Sequence, residues 1–230
     1  LLALCTGCWD QFELSDRGFV MGVGLDAAED GAVELTAQFY KPSQSGEGRQ
    51  MDTAFVNITT REDNLFDAVH DIPIQLGRRA QWSHMRVILI SDEFLESHGI
   101  MNALDFFFRD YETRLTSSIF VTEGKAGKYL AEDPLLEYTP SQQFREAQLM
   151  TAKVSGKSIG TNFWRLLTQL RSESGVAVLP NLQMGGGGRN NAAVSGAVVV
   201  NGERMLVRLG SRDTESLLLL RNRYENGVIN

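Results

Sequence analysis

Apolar positions along this chain fall into two rhythms: short runs or alternations of strand length, and stretches spaced three and four apart as on one face of a helix. "RGFVMGVGLD", from Arg17, reads as a buried strand with glycines inside it, "AAEDGA" as a turn, and "VELTAQFYKP" as a partly exposed strand. Together they predict a hairpin. A polar Gly/Ser loop, "PSQSGEGRQ" at 42–50, separates it from a third strand in "MDTAFVNIT". Thr59 followed by Glu62 spells a capping box, after which Leu65, Phe66, Val69 and Ile72 recur at helical spacing. Pro73 should end or kink that helix near Asp71, because a proline in a helix interior costs about 3 kcal/mol. "MRVILIS" is a strand apolar enough to be buried on both faces. Strand, helix and strand in this order predict a right-handed βαβ crossover.

"HGIMNALDFFFRDYETR" follows as an amphipathic helix ending near Asp110, then "SSIFVTEG" as a strand and "KAGKYLAED" as a short helix. Thr139, Pro140 and Gln142 supply a cap, a proline at the first helical position and a Gln at the third. They open a helix that runs through Phe144, Ala147 and Met150. "TNFWRLLTQLRS" is one more helix and "GVAVLPNLQ" a short edge segment. "GGGGRNN" breaks the composition as a flexible loop or domain joint. Beyond it, Asn201-Gly202 between two β-rich runs is the best hairpin signal in the chain, and "SRDTESLLLLRNRYENG" begins as a helix and ends on a turn. The sum is an α+β protein: a mixed β-sheet with packed helices over residues 9–190, then the start of a small second α/β domain over 191–230.

Composition narrows the class. With 230 residues, 43% of them hydrophobic, 22% charged and only 5 prolines, the chain can bury a real core. Its net charge of −7 is spread along the sequence, which argues against nucleic acid as a partner and against electrostatic adhesion to anionic lipid. No stretch after residue 8 approaches the ~20 apolar residues needed to cross a bilayer. A membrane attachment would therefore have to be covalent.

The two cysteines, Cys5 and Cys8, both lie in the opening "LLALCTGCWD". A zinc site wants a second pair of Cys or His ligands, and His70, His84 and His98 are too scattered to supply one; a redox C-x-x-C belongs inside a βαβ unit. A lipobox fits better. Gly7 is the small residue wanted before a modified cysteine, and "LLAL" looks like the end of an apolar signal segment. Residues 1–8 are then a signal and lipobox remnant with Cys8 as the lipidated residue; the competing reading is a plain signal-peptide remnant without lipid. At ~0.8 kcal/mol per buried CH₂, one acyl chain holds weakly and two hold stably, and a diacylglyceryl cysteine supplies two.

Other spellings come close to chemistry without reaching it. "GVGLDA" at Gly22 to Ala27 has the glycine spacing of a dinucleotide loop, but an acidic turn and another strand follow where a helix N-terminus is required, so the glycines relieve crowding inside a strand. "SGKS" at 155–158 lacks the earlier glycine of a phosphate loop, Thr151 standing in its place. In "FFF", helical spacing points Leu104, Phe107 and Phe108 inward; Asp105, Arg109, Asp110, Glu112 and Arg114 read as a solvated charged face. The three histidines read as structural. No catalytic, cofactor-binding or metal-binding set assembles.

Taken in order, the blocks "TGCWD", "GFVMGVGLD", "KPS", "HMRVILISDEFLESHGI", "LDFFFRDYETRLTS" and "SGAVVVNGERMLVRLGSRDTESLLLLRN" resemble the Ger(x)C lipoproteins, the C subunits of nutrient germinant receptors of bacterial spores. The resemblance covers nearly the whole chain. It implies a non-enzymatic subunit, without cofactor or metal, tethered through palmitate-type acyl chains on Cys8 to the outer face of the spore inner membrane. Its partners there would be the integral-membrane A- and B-type receptor subunits. Cys5 departs from the family's usual leucine, Pro73 falls earlier than the family's proline, and the family continues through a larger C-terminal region past the position of Asn230. A rival reading is an extracytoplasmic solute-binding lipoprotein that captures a small germinant itself, which would need a concave apolar pocket with a few convergent polar groups.

Overall fold

The computed structural model of the chain describes residues 16–41, 53–109, 112–185, 192–202 and 204–227. β1 (Arg17–Ala27), β2 (Val33–Tyr40) and β3 (Phe55–Glu62) form an antiparallel meander. β1 then runs parallel to β5 (Val87–Ser91), β5 to β6 (Ser118–Thr122), and β6 to β7 (Val176–Met184). β8 (Ala192–Asn201) and β9 (Arg204–Leu209) return antiparallel at the far side, and the three-residue β4 (Arg79–Gln81) lies parallel to the start of β1. One mixed sheet results, in the order β3-β2-β1-β5-β6-β7-β8-β9 with β4 off that path.

Helices cover both faces. α1 (Leu65–Leu76), α2 (Asp92–His98), α3 (Ile100–Arg109) and α6 (Phe163–Leu170) pack on one side. α4 (Ala126–Leu130), α5 (Pro140–Met150) and α7 (Ser211–Leu220) pack on the other. Strand alternation divides the core between them: Ile88 and Ile90 of β5 join the first layer, Val87 and Leu89 the second, and none is exposed. The mixed sheet with packed helices expected from the pattern is the fold observed, and the central "VILI" is buried on both faces as its composition predicts.

Several boundaries differ from the sequence reading. β3 continues through Thr59 to Glu62, so the spelled capping box is not used; the cap is Asn64, whose side chain accepts from the Asp67 N–H at 3.0 Å. Pro73 does not end α1. It sits exposed in the last turns, where its missing N–H and ring meet solvent, and the helix runs on to Leu76 before Gly77 closes it at φ 65°. The helix predicted from His98 is α3, and a further helix, α2, precedes it over "DEFLESH", a stretch the apolar pattern leaves unassigned. Ser91 caps α2 by accepting from Phe94 N–H, and Gly99, at φ 77°, breaks the chain before α3. The inward stripe of α3 is Ile100, Ala103, Leu104 and Phe107; Phe108 is 48% exposed and lies under Arg171, while Phe106 turns toward Trp82. Asp110 lies outside the described residues.

"GVAVLPNLQ" is no edge: β7 is enclosed between β6 and β8, and its proline is tolerated because the register shifts between Pro180 and Leu182. The β3–α1–β5 connection joins parallel strands, as expected, but passes over β2 and β1. The caps of α5 at Thr139 and Pro140 and the turn at Gly202, φ 57°, are where the sequence predicts them. Residues from 192 on supply β8, β9 and α7, with β8 paired to β7; the expected joint falls mostly on residues 186–191, outside the described residues.

Candidate functional site

Cys8, the one site residue the sequence nominates, lies outside the described residues, as does Cys5. The histidines lie inside them, and each is held by its surroundings. His84 meets the Phe19 ring edge-on at 5.0 Å. His98 stacks on Phe94 and has both ring nitrogens engaged, Nε2 with Gly31 O at 3.0 Å and Nδ1 with Ser97 Oγ at 2.8 Å. His70 donates from Nδ1 to Phe66 O at 2.8 Å, since a carbonyl can only accept, and this leaves Nε2 of the neutral ring as an acceptor. Among the described residues no cluster of His, Cys, Asp or Glu is placed to hold a metal ion, and no helix is long and apolar enough to cross a membrane.

What the sequence did not reveal is a cleft of about 760 Å³ between α1 and the α2–α3 pair. Its floor carries Val33, Trp82 and Phe94, with Trp82 and Phe94 only 5% and 1% exposed. Trp82 is fixed by Phe106 and Phe107, whose rings meet it edge-on at 6.0 and 5.9 Å. Leu65, Phe66 and Val69 line the α1 wall. The rim is polar and mixed in charge, with Asp63, Asp105 and Glu112 beside Arg79, Arg109, His70 and His98. Asp105 pairs with Arg109 one helical turn on, at 2.9 Å. Beside the rim, Glu62 shares a hydrogen bond with Asp71, and this crowding of carboxylates pushes the Glu62 carboxyl above its usual value. The separate helical signals of α1 and α3 were legible; their facing across a gap depends on strand order, which local spacing does not encode.

On the opposite face of the sheet, β1 and β2 grip α4 and α5 directly. Asp26, 1% exposed, accepts from the Ala126 and Gly127 N–H groups at 2.7 and 2.9 Å, capping α4 from a distant strand. Burial raises its carboxyl pKa, against the lowering effect of those two bonds. Gln38, fully buried, donates to Leu130 O at 2.8 Å and accepts from the Ser141 N–H and hydroxyl at 3.1 and 2.7 Å, joining the end of α4 to the start of α5. A Cβ on Gly22 would lie 2.3 Å from Ser141 Oγ, and one on Gly24 would lie 3.1 Å from the α4 backbone. The glycines of "GVGLDA" thus do relieve crowding inside a strand, as read from the sequence, and the crowding comes from α5 and α4. Tyr129 donates to Glu123 O at 2.8 Å; burial, with the Glu123 carboxylate near, pushes its phenol up to about 12.

Comparison with known proteins places this architecture. Spore germination protein YndF of Bacillus subtilis (strain 168) is 27% identical, across all of this chain and 62% of its own length. Spore germination protein B3 of the same organism is 29% identical over 62% of this chain and 36% of itself. Spore germination protein A3 is 32% identical over 53% and 33%. The chain therefore spans only part, from 33% to 62%, of the length of these relatives. Among solved structures, the crystal structure of the GerBC protein matches with 16% identity and a TM-score of 0.37, over 86% of this chain and 54% of that one. A family model described as the spore germination protein N-terminal domain matches residues 10–184, from before β1 to the last residue of β7, and on that match the chain belongs to this family.

Proposed function

We propose that this chain is a non-enzymatic subunit of a spore germinant receptor, held by a lipid on Cys8 at the outer face of the spore inner membrane and required for the germination response to nutrients. The observation that carries the reading is the family match, which starts at Asp10, two residues after Cys8. A lipobox directly followed by the family's folded domain is the arrangement expected of a tethered ectodomain. Relatives named as spore germination proteins A3, B3 and KC support the receptor setting. The partners in this reading are integral-membrane A- and B-type subunits. Two acyl chains would confine the domain to the bilayer, where weak contacts with those subunits become effectively intramolecular.

The test is Cys8→Ala in the native host. The variant should move from the membrane to the soluble fraction, lose its association with the integral-membrane subunits after detergent extraction, and slow germination. Retention at the membrane, or mass spectrometry showing an unmodified Cys8 in the wild-type protein, would overturn the anchor.

A further inference from the structure

We infer that a small pocket at the starting ends of β5 and β6 is a binding site for one phosphate group, that of an anionic phospholipid. His84, Arg86, Arg114, Thr116 and Arg145 line it, together with the buried Met85 and Ser117. Three arginines, a histidine and a threonine thus border one opening, and no acidic residue does. The volume, about 40 Å³, is a few times the ~10–15 Å³ that one water needs and far below the ~300 Å³ at which small-molecule sites begin. One oxyanion group fits, and the rest of its molecule must stay outside.

Separate elements build the pocket, and backbone bonds fix it. Arg86 directly precedes β5; its N–H donates to Met21 O at 2.7 Å and its carbonyl accepts from Ser118 N–H at 2.8 Å. Arg114 lies in the turn before β6, where its carbonyl accepts from Ser117 N–H at 3.1 Å, and Ser117 Oγ donates to Met85 O at 2.8 Å. Arg145 comes from the second turn of α5. Among the described residues, none of the three arginines is paired with a carboxylate. Glu112, two residues before Arg114, accepts from Gln81 at 3.0 Å instead. Cations left unpaired around one opening repel each other, and a bound phosphate relieves that repulsion with charge-assisted hydrogen bonds.

Position selects the lipid. β1, β5 and β6 run parallel, so they start at one end of the sheet. The pocket is joined to the start of β1: the His84 ring meets Phe19 at 5.0 Å, two residues after β1 begins at Arg17. A chain extends no more than ~3.6 Å per residue, so Cys8 lies within about 30 Å of Arg17. If Cys8 carries acyl chains, as proposed above, they hold this end of the sheet toward the headgroups, and only on that anchor is a lipid favoured over a free anion. The net charge of −7 weighs against adhesion to anionic lipid for the chain as a whole, but along these strands the charge is divided. Arg17, Arg86 and Arg114 stand at the starting ends; Glu29, Asp30, Asp92, Glu93 and Glu123 follow the finishing ends.

Vesicle co-sedimentation tests the site in the whole chain carrying Cys8→Ala, so that no acyl chain contributes. At about 0.1 M salt, phosphatidylcholine vesicles containing phosphatidylglycerol should be bound at least about tenfold more tightly than pure phosphatidylcholine. Arg86→Gln and Arg145→Gln should each weaken that binding about fivefold, the effect of one cation at an anionic surface, and keep the circular-dichroism spectrum. Arg212→Gln, at an exposed position of α7 outside the pocket, should change it by less than about twofold. Calorimetry with inorganic phosphate separates the two sources of the group. Saturable phosphate binding that both pocket substitutions weaken, without preference for the anionic vesicles, would make the ligand a free anion and overturn the lipid. Equal losses in all three arginine variants would show diffuse attraction and overturn the pocket, as would neither vesicle preference nor phosphate binding. An unmodified Cys8 in the native protein would remove the anchor without altering these titrations, and their failure would leave the anchor standing.

Discussion

On one face of the sheet, α1, α2, α3 and α6 are held by apolar burial: Phe94, Leu104, Phe107 and Phe163 are at most 1% exposed and share one cluster with β1, β5 and β6. On the other face, α4 has five residues and is gripped at both ends by polar side chains, Asp26 at its first N–H groups and Gln38 and Asn57 at its last carbonyl. Length explains the grip on α4, the shortest of these helices. A single turn cannot repay its own nucleation, and its free backbone groups must find partners elsewhere. The helices of the first face are held by buried side chains in addition to their caps at Asn64 and Ser91. The gripped layer is fixed in position; the packed layer has surface to spare.

Substitutions should separate the two modes. Phe107→Ala, in the packed layer, should cost about 3–5 kcal/mol in urea unfolding, because it opens a cavity behind Trp82. Phe66→Ala on the same layer should change stability by no more than about 0.5 kcal/mol, its ring being 58% exposed on the cleft wall. In the gripped layer the costs should follow hydrogen bonds instead of volume. Gln38→Ala leaves the buried Ser141 N–H without its acceptor and should cost about 2–3 kcal/mol. Asn57→Ala removes a donor from the same Leu130 carbonyl, but Gln38 still serves that carbonyl, so the loss should stay near 1 kcal/mol. Equal losses at 38 and 57 would mean that the grip is packing after all.

The two layers were also unequally legible. Period located α1 and α6, and period with capping located α5, because a long amphipathic stripe such as Leu65, Ala68, Val69 and Ile72 is a property of neighbouring residues. α2 was missed, since its seven residues bury only Phe94 and Leu95 and carry too short a stripe to show a period. Leu104 and Phe107 point inward as read; Phe108 does not, because the stripe Ile100, Ala103, Leu104 and Phe107 is complete without it and its ring lies under Arg171. Asp26 and Gln38 left a trace in the sequence, polar residues within two strands read as buried or partly so. Their partners are about a hundred residues away, at Ala126 and Ser141, and no local pattern carries that information. The cleft depends on strand order in the same way.

Asp26→Asn probes the grip at its charged end. One face of the amide accepts as the carboxylate did, but the other donates, so Ala126 or Gly127 N–H loses its partner at a cost of about 1–2 kcal/mol. The pH dependence has a definite sign. Burial raises the folded pKa above 3.8, so native Asp26 binds its proton more tightly than the unfolded chain does. Its contribution is full below 3.8 and is lost as pH rises through the folded value, while the asparagine does not titrate there. The stability advantage of the wild type over the variant should therefore shrink as pH rises from 3.8 through the raised folded value. An advantage that grows over that range would show the two N–H bonds outweighing burial.

A small, salt-sensitive effect is expected where β9 meets the packed layer. Arg208 of β9 reaches Asp92 at the start of α2 at 2.9 Å and Glu123 after β6 at 3.6 Å, with a quarter of the Arg208 and Asp92 side chains exposed. Arg208→Ala should lower stability by less than about 1 kcal/mol and by almost nothing in 1 M salt, as for other partly solvated ion pairs. The shape of the transition carries more than its midpoint. If residues 191–230 begin a separate domain, as the glycine run suggests, loosening this tie should split unfolding into two steps when followed by Trp164 fluorescence and by amide exchange in β9. The β7–β8 ladder binds the other way, pairing Val176 with Asn201 through Met184 with Ala192. A single shifted transition would make β8 and β9 the closing strands of the N-terminal fold.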